Sequence, residues 1–532
     1  AHWYRRYLGS FRDDPAAAEM NFLLADLLFE SGDYRQATRE YESTAYDYAT
    51  HEKAAAAGYA AVLAYDRHEP ALSGEAQSSW QRQSTEHAIR FATTFPGHPQ
   101  AMAVLTRSSE QLLARHDQAR AIQVAETVIN SEQASAGQQR VAWTVLAHAH
   151  FDLQDYLQAE SAYQQVRQRM SPTSKNYNDI NERLAASIYK QGEAAQASGD
   201  MLAAVDHYQR VRQATPGASI VATAEFDAAA ALLAMQDWAE ATAVLESFRY
   251  NHPNDPRQGE VTRRLAAAYL AEEQPLQAAR EFERIGRGHA DPKLRREALW
   301  QAAELYTTAE RYPAAVGLYR DYVEQFPQPL EQAVEARQHI VLYYQRTNNI
   351  HEQQRWLNDI IQADQHAGTQ RTDRTRYLAA HAQLILAGHA HQQYRHTSLT
   401  LPLKKSLAIK KRLMDKALQQ YDQAAGYGIS EVTTAATYHT AQIYSQLGEA
   451  LLQSQRPGDL SGESLAQYDI LLEEQAYPFE EQAITLHEVN LQRIETGLYD
   501  AWIEKSLQQL AQLVPAQYAK QERGATHVSA LE

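Results

Sequence analysis

The chain has 532 residues, 44% of them hydrophobic, with 66 acidic against 50 basic side chains and a formal charge of −16. That balance speaks against a general nucleic-acid binder, which presents a basic surface. The absence of cysteine excludes disulfides, cysteine-ligated zinc, iron–sulfur clusters and thiol chemistry, and no hydrophobic run approaches the ~20 residues that span a bilayer.

The chain opens on His2 to Phe11, followed by Asp13-Asp14-Pro15, which reads as the second helix of a hairpin whose first helix is missing; further repeats are expected upstream. The first complete unit runs from Met20 through Gly32-Asp33-Tyr34 to Ala37 and Tyr41. Ala54 to Asp66 is an alanine-rich first helix. Arg67 to Ser79 is then expected as an exposed inserted loop, and Trp80 to Phe95 as a second helix stopped at Pro96.

From there a fixed register emerges. Gln81, Gln118 and Tyr156 mark turns 37 (118−81) and 38 (156−118) residues apart, and Met201, Trp238, Pro275 and Tyr312 follow one another at 37 (238−201, 275−238, 312−275). Such a period marks stacked supersecondary units. Three positions after the four central anchors stand Ala204, Ala241, Ala278 and Ala315. Seven after stand Tyr208, Leu245, Phe282 and Tyr319, and ten after stand Val211, Phe248, Ile285 and Tyr322. Those offsets trace one face of a helix. Nine before the anchors are Gly192, Ala229, Ala266 and Ala303, small where a preceding antiparallel helix approaches most closely. Pro216, Pro253 and Pro327 stop the second helices. The longer step from Tyr156 to Met201 is taken up by the polar stretch Met170 to Asn176, read as a hinge between two halves of the array. After Tyr312 the next anchor is Ile350, where Gln353 replaces the small residue.

These residues carry a family resemblance. The small residue of the first helix, the aromatic near the turn, the alanine and large residue of the second helix and the terminal proline resemble the tetratricopeptide repeat (TPR), with a unit about three residues longer than the usual 34. The resemblance, over roughly Met20 to Ala363, implies an all-α, right-handed solenoid of about nine helix hairpins followed by an irregular helical region. The expected organisation is a partial repeat at 1–19, an N-terminal array at 20–170, a central array at 171–365, a long-helix region at 366–456 and a C-terminal helical cap at 457–532. Within the last two, helices are expected over Arg376–Tyr394, Leu403–Ala425, Glu431–Gln453, Ser464–Gln475, Phe479–Glu495 and Asp500–Leu513, the last stopping at Pro515. The opening His2-Trp3-Tyr4 and the tail Leu513 to Glu522 resemble large TPR proteins of the Gram-negative cell envelope, which accompany gliding-motility or TonB/ExbB/ExbD-type systems as non-catalytic assembly parts.

No phosphate loop, His-Glu-x-x-His helix, nucleophile elbow or EF-hand pattern is present. His381, His389, His391 and His396 form the densest titratable cluster. His389 and His396 share a helix face, but no carboxylate completes a ligand set, and a surface or interface role is favoured. His148 and His150 alternate faces of a helix and do not converge. Twelve positions before the central anchors stand Tyr189, Phe226, Arg263 and Trp300, at the position that the TPR resemblance turns to the concave surface. They are the candidate partner-binding residues. The carboxylate-clamp variety of the family has an asparagine four positions further on, where this chain has Glu193, Ala230, Ala267 and Glu304, so that reading is disfavoured.

The function implied is a non-catalytic protein–protein interaction scaffold of a bacterial envelope assembly, periplasmic or outer-membrane-associated, with protein partners and without cofactor, metal or nucleic acid. The alternatives are the periplasmic TPR scaffold of an exopolysaccharide secretion system, or an enzyme with its site in the irregular C-terminal region.

Overall fold

The computed structural model describes residues 1–11, 13–49 and 51–520. They form helices, short 3₁₀ turns and connecting loops, and among them no helix is long and apolar enough to cross a membrane. The chain divides into two compact units, residues 1–261 and 262–532. Gln521 and Glu522, part of the tail resemblance, lie outside the described residues.

Unit 1 opens with α1 (His2–Ser10), whose Tyr4 and Leu8 pack on the core of the first hairpin. Six hairpins follow. They pair α2 (Ala17–Glu30) with α3 (Tyr34–Tyr46), α4 (Ala54–His68) with α5 (Gly74–Thr94), and α6 (Ala101–Ala114) with α7 (Gln118–Ile129). The next three pair α8 (Ala136–Asp152) with α9 (Tyr156–Gln168), α10 (Tyr177–Ser198) with α11 (Met201–Ala214), and α12 (Val221–Ala234) with α13 (Trp238–Asn251). The unit boundary falls in α14 (Gln258–Ala271), which is followed by α15 (Pro275–Gly288). Unit 2 continues with α16 (Pro292–Thr308) and α17 (Tyr312–Gln325), then α18 (Leu330–Arg346) and α19 (Ile350–Gln365). Longer helices complete it: α20 (Asp373–Arg395), α21 (Leu403–Ala425), α22 (Ser430–Leu452), α23 (Glu463–Gln492), α24 (Ala501–Leu513) and the single turn α25 (Pro515–Tyr518).

Eight of the turns that join a first helix to its second are built the same way. The residue two before the anchor is left-handed: Gly32, His116, Gln154, Gly199, Gln236, Glu273, Glu310 and Asn348 all have φ between 54° and 86°. The next residue donates its backbone N–H to the carbonyl five positions back, as in Asp117 to Leu112 (3.0 Å), Asp237 to Leu232 (3.0 Å) and Arg311 to Tyr306 (2.7 Å). This closes the first helix as a Schellman motif. That same residue caps the second helix: the carboxylates of Asp33, Asp117, Asp155, Asp200 and Asp237 and the amide of Asn349 accept a backbone N–H three residues on. Where the cap is Gln274 or Arg311, a proline in the first turn of the second helix, whose φ is already helical, favours the start instead.

The packing register follows the predicted offsets. Ala204, Ala241, Ala278 and Ala315 are buried, as are Tyr208, Leu245 and Tyr319 in the row of large residues, while Phe282 is half-buried. Two predicted breaks are absent. The expected loop from Arg67 to Ser79 is mostly helical: α4 continues to His68, a 3₁₀ turn covers Glu69–Ala71, and α5 begins at Gly74. Gln81 therefore lies inside a helix, because Trp80 is drawn into the hairpin, its indole N–H donating to the Tyr65 carbonyl (3.0 Å) with the two rings 4.8 Å apart. The two helices expected on either side of Pro478 are one, α23, which runs through the proline. Pro515 ends α24 as predicted and opens α25. The Met170–Asn176 stretch connects α9 to α10 within unit 1.

Candidate functional site

In unit 1, Tyr189 on α10 and Phe226 on α12 are half-buried. The Tyr189 ring leans on Tyr208, 5.3 Å between centroids, and its hydroxyl donates to Asp227 Oδ2 at 2.7 Å. Burial, then the Asp227 carboxylate, push that phenol above its ordinary range. Phe226 packs on Phe248 (5.9 Å), and the Arg257 guanidinium stands 5.1 Å from one ring and 5.3 Å from the other. Arg257 is held there by Asp255, whose carboxyl its hydrogen bonds bring down to about 2. The two predicted aromatics therefore each show one edge to the surface beside a fixed charge, Asp227 or Arg257.

The same unit holds a cleft of about 620 Å³ over α6 and α8, closed on one side by the loop Met170–Asn176. Its floor includes Leu113, Val141, Val145 and Ile180, and Glu110 and Arg140 also line it. His148 lines it too, packed on Tyr163 at 5.7 Å with its buried Nε2 lacking a hydrogen-bond partner. Burial, reinforced by Arg183, brings this imidazole down to about 4, so it is neutral at ordinary pH. Sequence reasoning passed over this cleft because the residue at the candidate register position, twelve before Tyr156, is Thr144 and not an aromatic. The available signal was that His148 lies one turn further along the same helix.

In unit 2, Trp300 on α16 is half-buried, its indole N–H donating to Glu304 Oε1 at 2.8 Å. Its ring meets those of Tyr322 (5.4 Å), Tyr319 (5.6 Å) and His339 (5.9 Å) edge to face. It opens on a cleft of about 520 Å³ lined also by Arg296, Glu297, Gln301, Tyr322 and Gln332. Arg263, on α14, is exposed.

The four histidines of α20 and its cap are dispersed. His391 is buried between the Tyr421 hydroxyl (3.3 Å) and Gln446 Oε1 (3.0 Å), His389 meets Gln354, His381 packs on Tyr377 at 4.3 Å, and His396 is exposed. Among the described residues no group of three or more histidine, aspartate or glutamate side chains is arranged to hold a metal ion.

Comparison with known proteins places residues 181–305 against the YfiO model, described as an outer membrane lipoprotein. No curated protein matches the chain. Solved structures similar to it include the C-terminal part of a TPR repeat-containing protein from Cytophaga hutchinsonii, at 15% identity and a TM-score of 0.21 over 50% of this chain and 97% of that one. Yeast Tom70 is similar at 13% identity and 0.21 over 94% and 98% of the two chains. A Naa15/Naa10 complex bound to HypK-THB follows at 14% and 0.26 over 87% and 64%. The repeating turn and the small-residue register make this an all-α helical-repeat protein, of which residues 181–305 are similar to the YfiO outer membrane lipoprotein model.

Proposed function

We propose that this protein is a non-catalytic protein–protein interaction scaffold of a bacterial cell-envelope assembly, capturing partner segments on the first helices of its hairpins. The observation that carries the reading is the repeated placement of half-buried aromatics at one register position: Tyr189 and Phe226 in unit 1, and Trp300 in unit 2. A ring already fixed by its neighbours loses little conformational entropy when a partner covers its remaining edge, and it contributes a large contact area. Arg263, exposed in unit 2, adds a cation at the same register. Similarity of residues 181–305 to an outer membrane lipoprotein supports a periplasmic or outer-membrane-associated setting.

Affinity capture from solubilised cell envelopes tests the reading, comparing the wild type with Phe226→Ala and with Trp300→Ala. Each variant is expected to keep its helical circular dichroism and to lose about 2 kcal/mol or more of capture free energy. Undiminished capture by a folded variant would move binding off that face. A loss of helicity would show the ring to be core.

A further inference from the structure

One surface of this acidic protein is strongly basic. Lys404, Lys405, Lys410, Lys411 and Lys416, five of the eleven lysines in the sequence, fall with Arg412 on α21. Lys410 is spent internally: it is buried, with Nζ donating to the carbonyls of Tyr394 (3.2 Å) and Thr397 (2.7 Å) at the end of α20. The other five cations are exposed, and among the described residues none makes an ion pair within 4.0 Å. Beside them on the same helix Ile409 is 41% exposed.

The neighbouring α23 has the opposite character. From Glu463 to Glu481 it carries no lysine, arginine or histidine, and Glu463, Glu473, Glu474, Glu480 and Glu481 are all exposed. Between these acids Ile470, Leu471 and Tyr477 are 55, 57 and 64% exposed, a degree unusual for large apolar side chains so close together. Both helices pack against α22, and Lys411 Nζ of α21 stands 5.8 Å from the ring of Phe479 on α23.

We propose that this two-signed face is where a second copy of the chain docks, α21 of each copy lying against α23 of the other. A two-fold interface joins the same patch on both subunits, so it must be self-complementary. A patch with cations on one helix and carboxylates on another meets that condition when turned upon itself. Pairing covers Ile409, Ile470, Leu471 and Tyr477 at the centre and opposes unlike charges around them, which sets register and speeds encounter. An acidic foreign protein would satisfy α21 alone and leave the acids and apolar side chains of α23 uncovered. An anionic lipid surface would repel those acids.

Sedimentation of the full chain tests the proposal. The wild type is expected to dimerise, with a dissociation constant that rises about tenfold or more as NaCl goes from about 50 to about 500 mM. The set Lys404→Glu, Lys411→Glu, Lys416→Glu and the set Glu473→Lys, Glu474→Lys, Glu481→Lys should each abolish self-association while leaving the unfolding transition in place. An equimolar mixture of the two reversed proteins should form a heterodimer, and a chain carrying both sets should dimerise again. A wild type that stays monomeric to about 50 µM at low salt, or reversed proteins that associate like it, overturns the proposal. So does failure of the mixture and the double set to recover. Cosedimentation of a monomeric wild type with phosphatidylglycerol vesicles, lost in the lysine-reversed set, would assign the basic helix to a lipid surface instead.

Discussion

A Cβ added at Gly192 would lie 2.6 Å from Cε1 of Tyr208, so the ring of α11 rests directly on the backbone of α10. Alanine in place of glycine ordinarily stabilises a helix by about 0.5–1 kcal/mol. Here the sign reverses: Gly192→Ala is expected to cost about 1–3 kcal/mol by overpacking, measured by urea unfolding. Ala241→Phe, at a position with no exposure, is expected to cost a similar amount. If Gly192→Ala raises the midpoint, the close contact is not present in solution.

The anchor turns offer a gain in place of a loss. Gln236 has φ of 62° without being glycine, a conformation that costs a side chain-bearing residue about 1 kcal/mol. Gln236→Gly should raise stability by roughly that amount, while Asp237→Ala, which removes the adjoining helix cap, should lower it by about 1 kcal/mol. Both are read as shifts of the denaturation midpoint. Opposite signs at adjacent positions separate the two roles of the turn.

Acid should weaken the fold through its buried histidines. Burial holds His148, His439 and His487 at about 4 in the folded chain, against an ordinary value of 6.5. His439 is stacked on Tyr421 (5.4 Å) and meets Trp502 edge to face (4.9 Å), with His391 5.9 Å away. Between pH 6.5 and 4 the unfolded chain takes up protons that the folded chain refuses, so stability falls as pH drops through that window and is fully present above it. His439→Gln should reduce the acid loss by on the order of 2 kcal/mol, measured as the difference between unfolding free energies at the two ends of the window.

Pro478 lies mid-helix in α23 between Ala476, which is buried, and Phe479, which packs on the core shared by α20, α21 and α22. A proline there removes a helical hydrogen bond and crowds the carbonyl of Glu474, at a cost of about 3 kcal/mol in a free helix. Pro478→Ala is expected to raise the thermal midpoint of the cooperative transition; an unchanged midpoint would mean that the proline costs nothing in this setting.

The same proline shows where the sequence misleads. Local chemistry at Tyr477-Pro478 says break, and the burial of Ala476 and Leu472 outweighs it, a contest that no local signal reveals. Trp80 acts likewise: its indole needs the Tyr65 carbonyl, and reaching it turns an expected loop into helix. By contrast, the 37-residue register was legible, since small residues at Ala204, Ala241, Ala278 and Ala315 are required wherever two backbones close. The left-handed turn residues were hidden, because Gln236, Glu273 and Glu310 carry no glycine to announce them. The candidate surface was legible only where the register position is aromatic. At Thr144 the chemistry of the cleft comes from His148 and its neighbours.

The recurring turn gives the chain a grammar of lengths. Because eight junctions present the same backbone bend, six of them with the same side-chain cap, from Gly32-Asp33 to Asn348-Asn349, cutting at one such bend and rejoining at another recreates a junction of the kind already there. Excision of one whole period between two such bends leaves every remaining helix with its own start and stop, whereas a deletion half as long joins two first helices and strands an apolar face. Descendants of such a gene can therefore change reach in whole-hairpin steps without inventing a loop.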